Sequence, residues 1–174
     1  MAQEKVYPVY LIAGFLDSGK TSFINGILSD GFAMEDRTML LCCEEGEVEY
    51  DPQLLRNVTV VTVDDPEELT PEFLDAQRRK CRASQIIVEY NGMWQIQDFY
   101  VNSMPQNWVL YQIIAAAEGP TFEMYTKNMA SLMMEKLRNA DMILINRCTD
   151  GLCAALRQKN LRLVNRRAET VPSI

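Results

Sequence analysis

The sequence predicts an α/β fold of three layers, in which helices cover both faces of a mainly parallel central sheet. Short apolar runs recur along the chain, and longer stretches with helical periodicity separate them. Strands that are apolar on both faces are typical of parallel sheets buried between two layers of helices. With 174 residues, the chain has the length of one domain, and we expect residues 1–174 to form a single unit.

Seven segments are predicted to be strands because they are short, apolar and mostly rich in β-branched residues. They alternate with helical segments, which is the order expected of parallel β-α-β units. In chain order, the predicted strands are residues 9–13, 39–43, 58–63, 85–90, 108–116, 142–145 and 169–171.

Four segments between these strands show the apolar spacing of helices. Thr70 is a candidate N-cap, and Pro71 takes the first helical position, where its missing N–H is harmless. Residues 93–103 favour neither structure, and residues 93–108 are expected to form an irregular excursion between two strands. The predicted helices are residues 21–29, 71–82, 122–139 and 151–164.

The composition excludes several classes of function. The net charge is −7 and no block of Lys and Arg stands out, so we expect no nucleic-acid partner. The sequence has no histidine, which excludes histidine-based acid–base catalysis and histidine-containing zinc sites. Its five cysteines include no C-x-x-C pair, which argues against a disulfide framework. Without a signal peptide or a membrane-spanning apolar run, we expect a cytoplasmic protein with no membrane partner.

Residues 14–21 (GFLDSGKT) carry the clearest motif, because they match G-x-x-x-x-G-K-[ST] between a predicted strand and a predicted helix. The glycines let backbone N–H groups turn inward toward phosphate oxygens, and the helix N-terminus adds partial positive charge. The lysine of this motif reaches the β- and γ-phosphates, and the hydroxyl after it can bind Mg²⁺. The residues predicted to bind the phosphates are Gly14, Asp17, Ser18, Gly19, Lys20, Thr21 and Ser22.

Two acidic positions follow predicted strands and are candidates to complete the site. Glu89 ends the run QIIVE, and Gly92 follows it at a position where a backbone N–H can meet the γ-phosphate. Glu44 opens the acidic segment 44–49 (EEGEVE) after the second strand, and is a candidate metal-facing carboxylate. Solvated strand ends and charged surface turns explain the same residue types without a function.

Residues 141–150 (DMILINRCTD) resemble the N-K-x-D signature with which GTPases recognise guanine. Arg147 takes the lysine position after Asn146, Thr149 stands where aspartate is expected, and Asp150 comes one position late. Either a bulge allows Asp150 to accept from guanine, or guanine selectivity is weakened. A strand-to-helix turn capped by Thr149 or Asp150 accounts for the same residues. Asn146, Arg147 and Asp150 are therefore the candidate base-binding residues.

Five segments keep the order and spacing of motifs shared by one family of GTPases. They are residues 14–25 (GFLDSGKTSFIN), 44–47 (EEGE), 87–92 (IVEYNG), 140–146 (ADMILIN) and 165–169 (NRRAE). Together they resemble the CobW-type metal-chaperone GTPases, of the same class as the nickel-insertion GTPases of hydrogenase and urease maturation. The resemblance implies a P-loop NTPase fold, with GTP and Mg²⁺ as ligands. It also implies a metalloprotein target, or a second copy of the chain, as partner.

Two features depart from that family. Its C-x-C-C metal motif is expected after the strand 58–63, where residues 64–69 read DDPEEL. Cys42 and Cys43 lie elsewhere with a different spacing, and cysteines in an apolar strand are usually small core residues. No counterpart of the family's C-terminal domain is expected within residues 1–174.

Three functions fit these observations. The first is a Mg²⁺-dependent GTPase with slow intrinsic turnover, with Lys20 and Glu89 as catalytic residues and Thr21, Glu44 and Glu89 holding the metal directly or through water. The second is a nucleotide-dependent switch without significant hydrolysis, which docks a partner through residues 93–106. The third is an ATPase or small-molecule kinase on the same fold, with ATP in place of GTP. Phosphate release and a comparison of GTP with ATP distinguish the three.

Overall fold

A seven-stranded sheet, parallel throughout, organises the residues that the structure describes. The structure is a computed structural model and describes residues 5–44, 46, 48–149, 151, 165 and 167–172. The strands are β1 Tyr7–Ala13, β2 Thr38–Cys42, β3 Val58–Thr62, β4 Gln85–Tyr90, β5 Trp108–Glu118, β6 Met142–Asn146 and β7 Glu169–Pro172. They lie side by side in the order β3-β2-β4-β1-β5-β6-β7. The predicted α/β fold with a mainly parallel sheet is confirmed.

The described helices occupy the stretches between the strands. A 3-10 turn at Pro66–Glu68 precedes α2 (Pro71–Cys81), and α3 (Ile96–Asp98) continues into a π-helical turn at Phe99–Ser103. Among the described helices, none is long and apolar enough to cross a membrane. The helices are α1 Lys20–Ser29, α2 Pro71–Cys81, α3 Ile96–Asp98, α4 Phe122–Asn128 and α5 Ala130–Asn139.

Alternate residues of the central strands enter two different apolar clusters. In β4, Ile86 and Val88 belong to one cluster and Ile87 belongs to the other. In β2, Met39 and Leu41 are likewise separated from Leu40. Because successive side chains of a strand point to opposite faces, the sheet is buried on both sides. This double burial explains why the strands read as continuous apolar runs.

The strand order places β1 in the middle of the sheet, beside a topological switch point. From β1 the sheet extends through β4 on one side and through β5 on the other. In open parallel sheets, ligands bind at the carboxyl ends of strands beside such a switch point. At that edge Ala13 pairs with Tyr90 of β4 and Ala115 of β5, and Glu118 pairs with Asn146. The predicted phosphate loop therefore begins between two neighbouring strand ends.

The N-terminus of α2 has the cap that the sequence predicts. The Thr70 hydroxyl accepts a hydrogen bond from the Phe73 N–H at 3.2 Å, and Pro71 begins the helix. The helix ends as Arg82 adopts a left-handed conformation with φ 55°. Thr70 is thus confirmed as the N-cap.

Three predicted segments differ from the structure or lie outside the described residues. The single helix predicted at residues 122–139 is wrong, because the chain leaves helical geometry at Met129 (φ −132°, ψ 42°) between α4 and α5. Just before the break, the Thr126 hydroxyl donates to the Phe122 carbonyl at 2.7 Å, a contact that bends helices. The excursion after β4 contains α3 and the π-helical turn. The helix predicted at residues 151–164 falls outside the described residues, apart from residue 151.

Candidate functional site

A cavity of about 270 Å³ opens at the carboxyl edge of the sheet. The loop 14–21 forms its floor, and Glu44, Glu89, Glu118 and Arg147 approach from other segments. A second cavity of about 310 Å³ shares Thr21, Glu44 and Glu89 with the first. Predicted residues from four separate stretches of sequence are thus gathered around one opening, together with Glu118.

The loop 14–21 is curled rather than extended. Asp17 and Gly19 have positive φ of 61° and 89°, and the Ser18 N–H donates to the Phe15 carbonyl at 3.2 Å. A Cβ atom on Gly19 would lie 2.0 Å from Nδ2 of Asn146, so glycine is required there by both backbone angle and space. The Ser18 hydroxyl is buried and has no hydrogen-bond partner within the described part of the chain. The curl is the conformation that a phosphate-binding loop requires.

Lys20 lies beneath this loop with its ammonium group directed to the cavity. Only 3% of the residue is exposed, and Nζ donates to the carbonyl oxygens of Gly14 and Phe15 at 2.9 and 3.0 Å. Nζ also forms an ion pair with Oε2 of Glu44 at 2.5 Å. The two carbonyl contacts fix the position of a buried cation at the mouth of the loop.

Thr21 and Glu89, both predicted to hold the metal, are in direct contact. The Thr21 hydroxyl donates to Oε1 of Glu89 at 2.7 Å, across 68 positions of sequence. The Tyr50 hydroxyl donates to Oε2 of the same carboxylate. Burial raises the pKa of Tyr50 and the adjacent Glu89 carboxylate raises it further, so the hydroxyl keeps its proton and remains a donor. The Thr21 and Glu89 oxygens are the hard ligands that Mg²⁺ prefers, so this pair fits a magnesium ion held together with phosphate oxygens.

Glu44 is in contact with both Gly92 and Lys20. Oε1 of Glu44 accepts the Gly92 N–H at 3.3 Å, while its Oε2 binds Lys20. Gly92 packs so closely that a Cβ atom there would lie 2.5 Å from the Gly14 carbonyl oxygen and 2.6 Å from Cα of Phe15. The Asn91 amide also donates to the Cys43 carbonyl at 3.2 Å. The segments after β2 and β4 are therefore joined directly above the loop.

Of the predicted base-binding residues, Arg147 lines the cavity and Asn146 contacts the phosphate loop. Nδ2 of Asn146 donates to the Ser18 carbonyl at 2.6 Å, which ties the end of β6 to the phosphate loop. Arg147 has a positive φ of 51°, and its guanidinium forms an ion pair with Glu118 at 2.6 Å. Asp150 lies outside the described residues. Asn146 therefore holds the loop, while its role in base recognition and that of Arg147 stay predictions.

A second buried lysine lies close to the same loop. Lys136 of α5 is 1% exposed, and its Nζ donates to the Trp94 carbonyl at 3.1 Å and lies 5.5 Å from the centre of the Phe15 ring. Burial lowers the pKa of Lys136, against the opposing effect of the neighbouring Glu135 carboxylate. Lys136 thus fixes the turn that carries Gly92.

The cysteines do not assemble a metal centre in the described part of the chain. There, no group of three or more His, Cys, Asp and Glu side chains could hold a metal ion. Cys42 donates to the Glu44 carbonyl at 3.2 Å, and burial raises the pKa of the Cys43 thiol, so it stays protonated. Cys148 is disulfide-bonded, a bond that the cysteine spacing does not predict.

Three residues of this site were not predicted from the sequence. Tyr50 was not predicted because it follows the acidic segment 44–49 and belongs to no recognisable motif. Glu118 ends β5, and a carboxylate at the end of an apolar run is the signal that identified Glu89. Lys136 lies among the apolar residues of a predicted helix face, and a lysine there is the signal of a buried charge.

A comparison with protein-family models finds a match over most of the sequence. The sequence model for the nucleotide-binding domain of CobW, HypB and UreG proteins matches residues 8–172. A search of curated proteins finds no match to the sequence. The family that the motifs resemble is thus confirmed.

Solved structures share the fold at low sequence identity. The Zn(II)-bound YjiA GTPase from E. coli is 23% identical with a TM-score of 0.67, over 95% of this chain and 57% of that one. HypB from Archaeoglobus fulgidus, a hydrogenase maturation factor, is 16% identical with a TM-score of 0.63, over 98% and 82% of the two chains. HypB from Helicobacter pylori in complex with nickel is 9% identical with a TM-score of 0.59, over 98% and 80%. The chain thus spans little more than half of the YjiA chain.

Proposed function

The chain belongs to the CobW/HypB/UreG family of nucleotide-binding domains, and from this premise we propose that it binds GTP with Mg²⁺ and hydrolyses it slowly. One observation carries the proposal. Lys20, Glu44 and the Thr21–Glu89 pair line a single cavity above a curled G-x-x-x-x-G-K-T loop, and the Gly92 N–H donates to Glu44. This is the set of groups that a nucleoside triphosphate requires.

Each of these residues has a distinct task toward the phosphates. Lys20 neutralises charge on the β- and γ-phosphates, and the loop N–H groups bind their oxygens. Thr21 and Glu89 would hold Mg²⁺, with Glu44 as a further ligand once it leaves Lys20. When bound, Mg²⁺ neutralises charge that develops on the phosphate oxygens.

The arginine positions support the proposal of slow turnover. Arg147 is the arginine that lines the cavity within the described residues, and its guanidinium is paired with Glu118. An arginine placed on the γ-phosphate raises phosphoryl transfer by roughly 10³–10⁵-fold. Within the described residues, Lys20 is the one cation at the cavity that is not paired with Glu118, so we expect slow turnover. As partner of this chain we propose a metalloprotein or a second copy of the chain. The nickel-bound and hydrogenase-maturation relatives support this proposal.

Calorimetry and phosphate release test the proposal together. We expect GTP to bind with sub-millimolar affinity in Mg²⁺, more tightly than ATP, and phosphate to be released slowly. Binding without release would instead support a nucleotide-dependent switch, which the contacts of Glu44 and Tyr50 with nucleotide-site residues favour. Tighter binding of ATP would exclude the GTP assignment, and failure of both nucleotides to bind would exclude the whole proposal.

Tyr50→Phe is expected to weaken the contribution of Mg²⁺ to GTP binding by about tenfold, because residues that orient a metal ligand typically contribute 10–100-fold. The change removes the hydroxyl that donates to Oε2 of Glu89 and leaves that carboxylate free to turn away from Thr21. The measurement is GTP affinity with Mg²⁺ and with EDTA. Tyr111→Phe is the matched control, since Tyr111 is exposed on β5. An equal Mg²⁺ effect in wild type and Tyr50→Phe would show that Tyr50 has no role at the metal.

A further inference from the structure

The Glu44 carboxylate connects the two groups that are expected to bind the terminal phosphate. Its Oε2 is 2.5 Å from Nζ of Lys20, and its Oε1 accepts the Gly92 N–H at 3.3 Å. Building on the proposed function, we infer that Glu44 occupies the γ-phosphate subsite and sets the selectivity of the protein between nucleoside triphosphate and diphosphate. Glu44 is in this sense a specificity-determining residue.

The chemistry of the contacts supports this inference. A carboxylate and a phosphate are both anions whose oxygens accept from ammonium and backbone N–H groups. The phosphate-loop lysine reaches the β- and γ-phosphates, and the Gly92 N–H lies where the γ-phosphate is expected. One carboxylate uses both donors with its two oxygens. A γ-phosphate and the Glu44 carboxylate therefore compete for the same place.

The burial of the pair makes this competition significant. Lys20 and Glu44 have side-chain exposures of 3% and 12%, so little water screens their attraction. The main chain also holds Glu44 close to this position. The Cys43 N–H donates to the Glu89 carbonyl at 2.9 Å, and the Cys43 carbonyl accepts from Asn91. The carboxylate is thus presented to Lys20 by a fixed strand end.

The two nucleotides differ in what they require of Glu44. A diphosphate has no terminal phosphate and can bind while Glu44 still contacts Lys20 and Gly92. A triphosphate must displace the carboxylate from both groups. Glu44 therefore lowers affinity for GTP relative to GDP, and its displacement reports that a triphosphate has bound. The displaced carboxylate is then free to serve as the metal ligand that the sequence predicts.

Glu44→Gln tests the inference with a side chain of nearly the same shape. We expect the ratio of GDP to GTP-analogue dissociation constants, measured with a non-hydrolysable analogue, to rise by roughly tenfold or more, since close buried charge pairs couple strongly. Titrations are made in EDTA and in Mg²⁺, because loss of a metal ligand would weaken triphosphate binding only in Mg²⁺. Glu49→Gln removes the same charge from an exposed position in the same segment and is expected to leave the ratio unchanged.

An equal or lower ratio for Glu44→Gln in EDTA would overturn the inference while leaving the proposed function intact. A wild-type chain that binds neither nucleotide would overturn both. An equal rise for Glu49→Gln would show a general effect of charge and would also overturn it.

A second measurement does not depend on any change at Glu44. Trp94 closes the turn that carries Gly92, because its backbone N–H donates to the Asn91 carbonyl at 3.1 Å. In a Trp108→Phe chain, Trp94 is the remaining tryptophan and reports on this turn by fluorescence. We expect the GTP analogue to change its emission and GDP to leave it close to that of the free protein. The same change with both nucleotides would contradict the displacement of Glu44 by the γ-phosphate.

Discussion

Lys20→Ala is expected to reduce GTP affinity by about a hundredfold or more, because removing one partner of a buried, hydrogen-bonded charge pair strongly weakens binding. The ammonium group is buried and held toward the cavity by two carbonyl oxygens. Its loss removes the cation for the β- and γ-phosphates and also leaves the Glu44 carboxylate without its partner. Calorimetric titration with GTP in Mg²⁺ measures the effect, and circular dichroism checks that the chain stays folded.

Two further variants separate the causes of that loss. Lys80→Ala removes the same charge from an exposed position near the end of α2 and is expected to leave GTP affinity unchanged. Lys20→Ala combined with Glu44→Gln removes the unpaired carboxylate as well. We expect the double variant to regain only part of the affinity. Full recovery would show that repulsion by Glu44, rather than loss of contacts from Lys20, causes the defect, and unchanged affinity in Lys20→Ala would refute its assignment.

Gly92→Ala is expected to lower the free energy of unfolding by ~1–3 kcal/mol, the range for overpacking a well-packed region. The new methyl group would lie 2.5 Å from the Gly14 carbonyl oxygen and 2.6 Å from Cα of Phe15, both backbone atoms. The phosphate loop must therefore move. Because the Gly14 and Phe15 carbonyls position Lys20, we also expect GTP affinity to fall by roughly tenfold or more. Denaturant unfolding and GTP titration measure the two effects.

Gly26→Ala is the matched control for that substitution. Gly26 lies in α1, and a Cβ atom there meets nothing within 4 Å. Alanine favours the helix over glycine by about 0.5–1 kcal/mol, so this variant should be more stable than wild type and bind GTP normally. If Gly92→Ala were as stable as Gly26→Ala, the close packing of Gly92 on the phosphate loop would be wrong.

The fold was predictable because its signals are local or repetitive. The apolar runs of β2 and β4 predict strands buried on both faces, since each residue along them packs on one side or the other of the sheet. The loop 14–21 was predictable because its geometry depends on eight consecutive residues. The break at Met129 was not, because it depends on the backbone angles of one residue within a stretch of helical pattern.

The candidate site was predictable only in its components. Glu44, Glu89 and Asn146 were each identified as polar residues after apolar strands, and the structure brings all three to the phosphate loop. Their contacts with Tyr50 and Ser18 were not predicted, because residues that meet in space are far apart in the chain. Tyr50 contacts Glu89 across 39 positions, and Asn146 contacts Ser18 across 128.

The sequence by itself determined the α/β fold, the family and the phosphate loop, because spacing along the chain is sufficient for periodicity and for a short contiguous motif. Only the tertiary structure decided that Glu44 pairs with Lys20 and Gly92, that Tyr50 holds Glu89, and that Glu118 pairs with Arg147. The physical reason is the strand order. Parallel pairing of β4 and β5 on either side of β1 brings distant strand ends to one edge, and long-range packing sets that order.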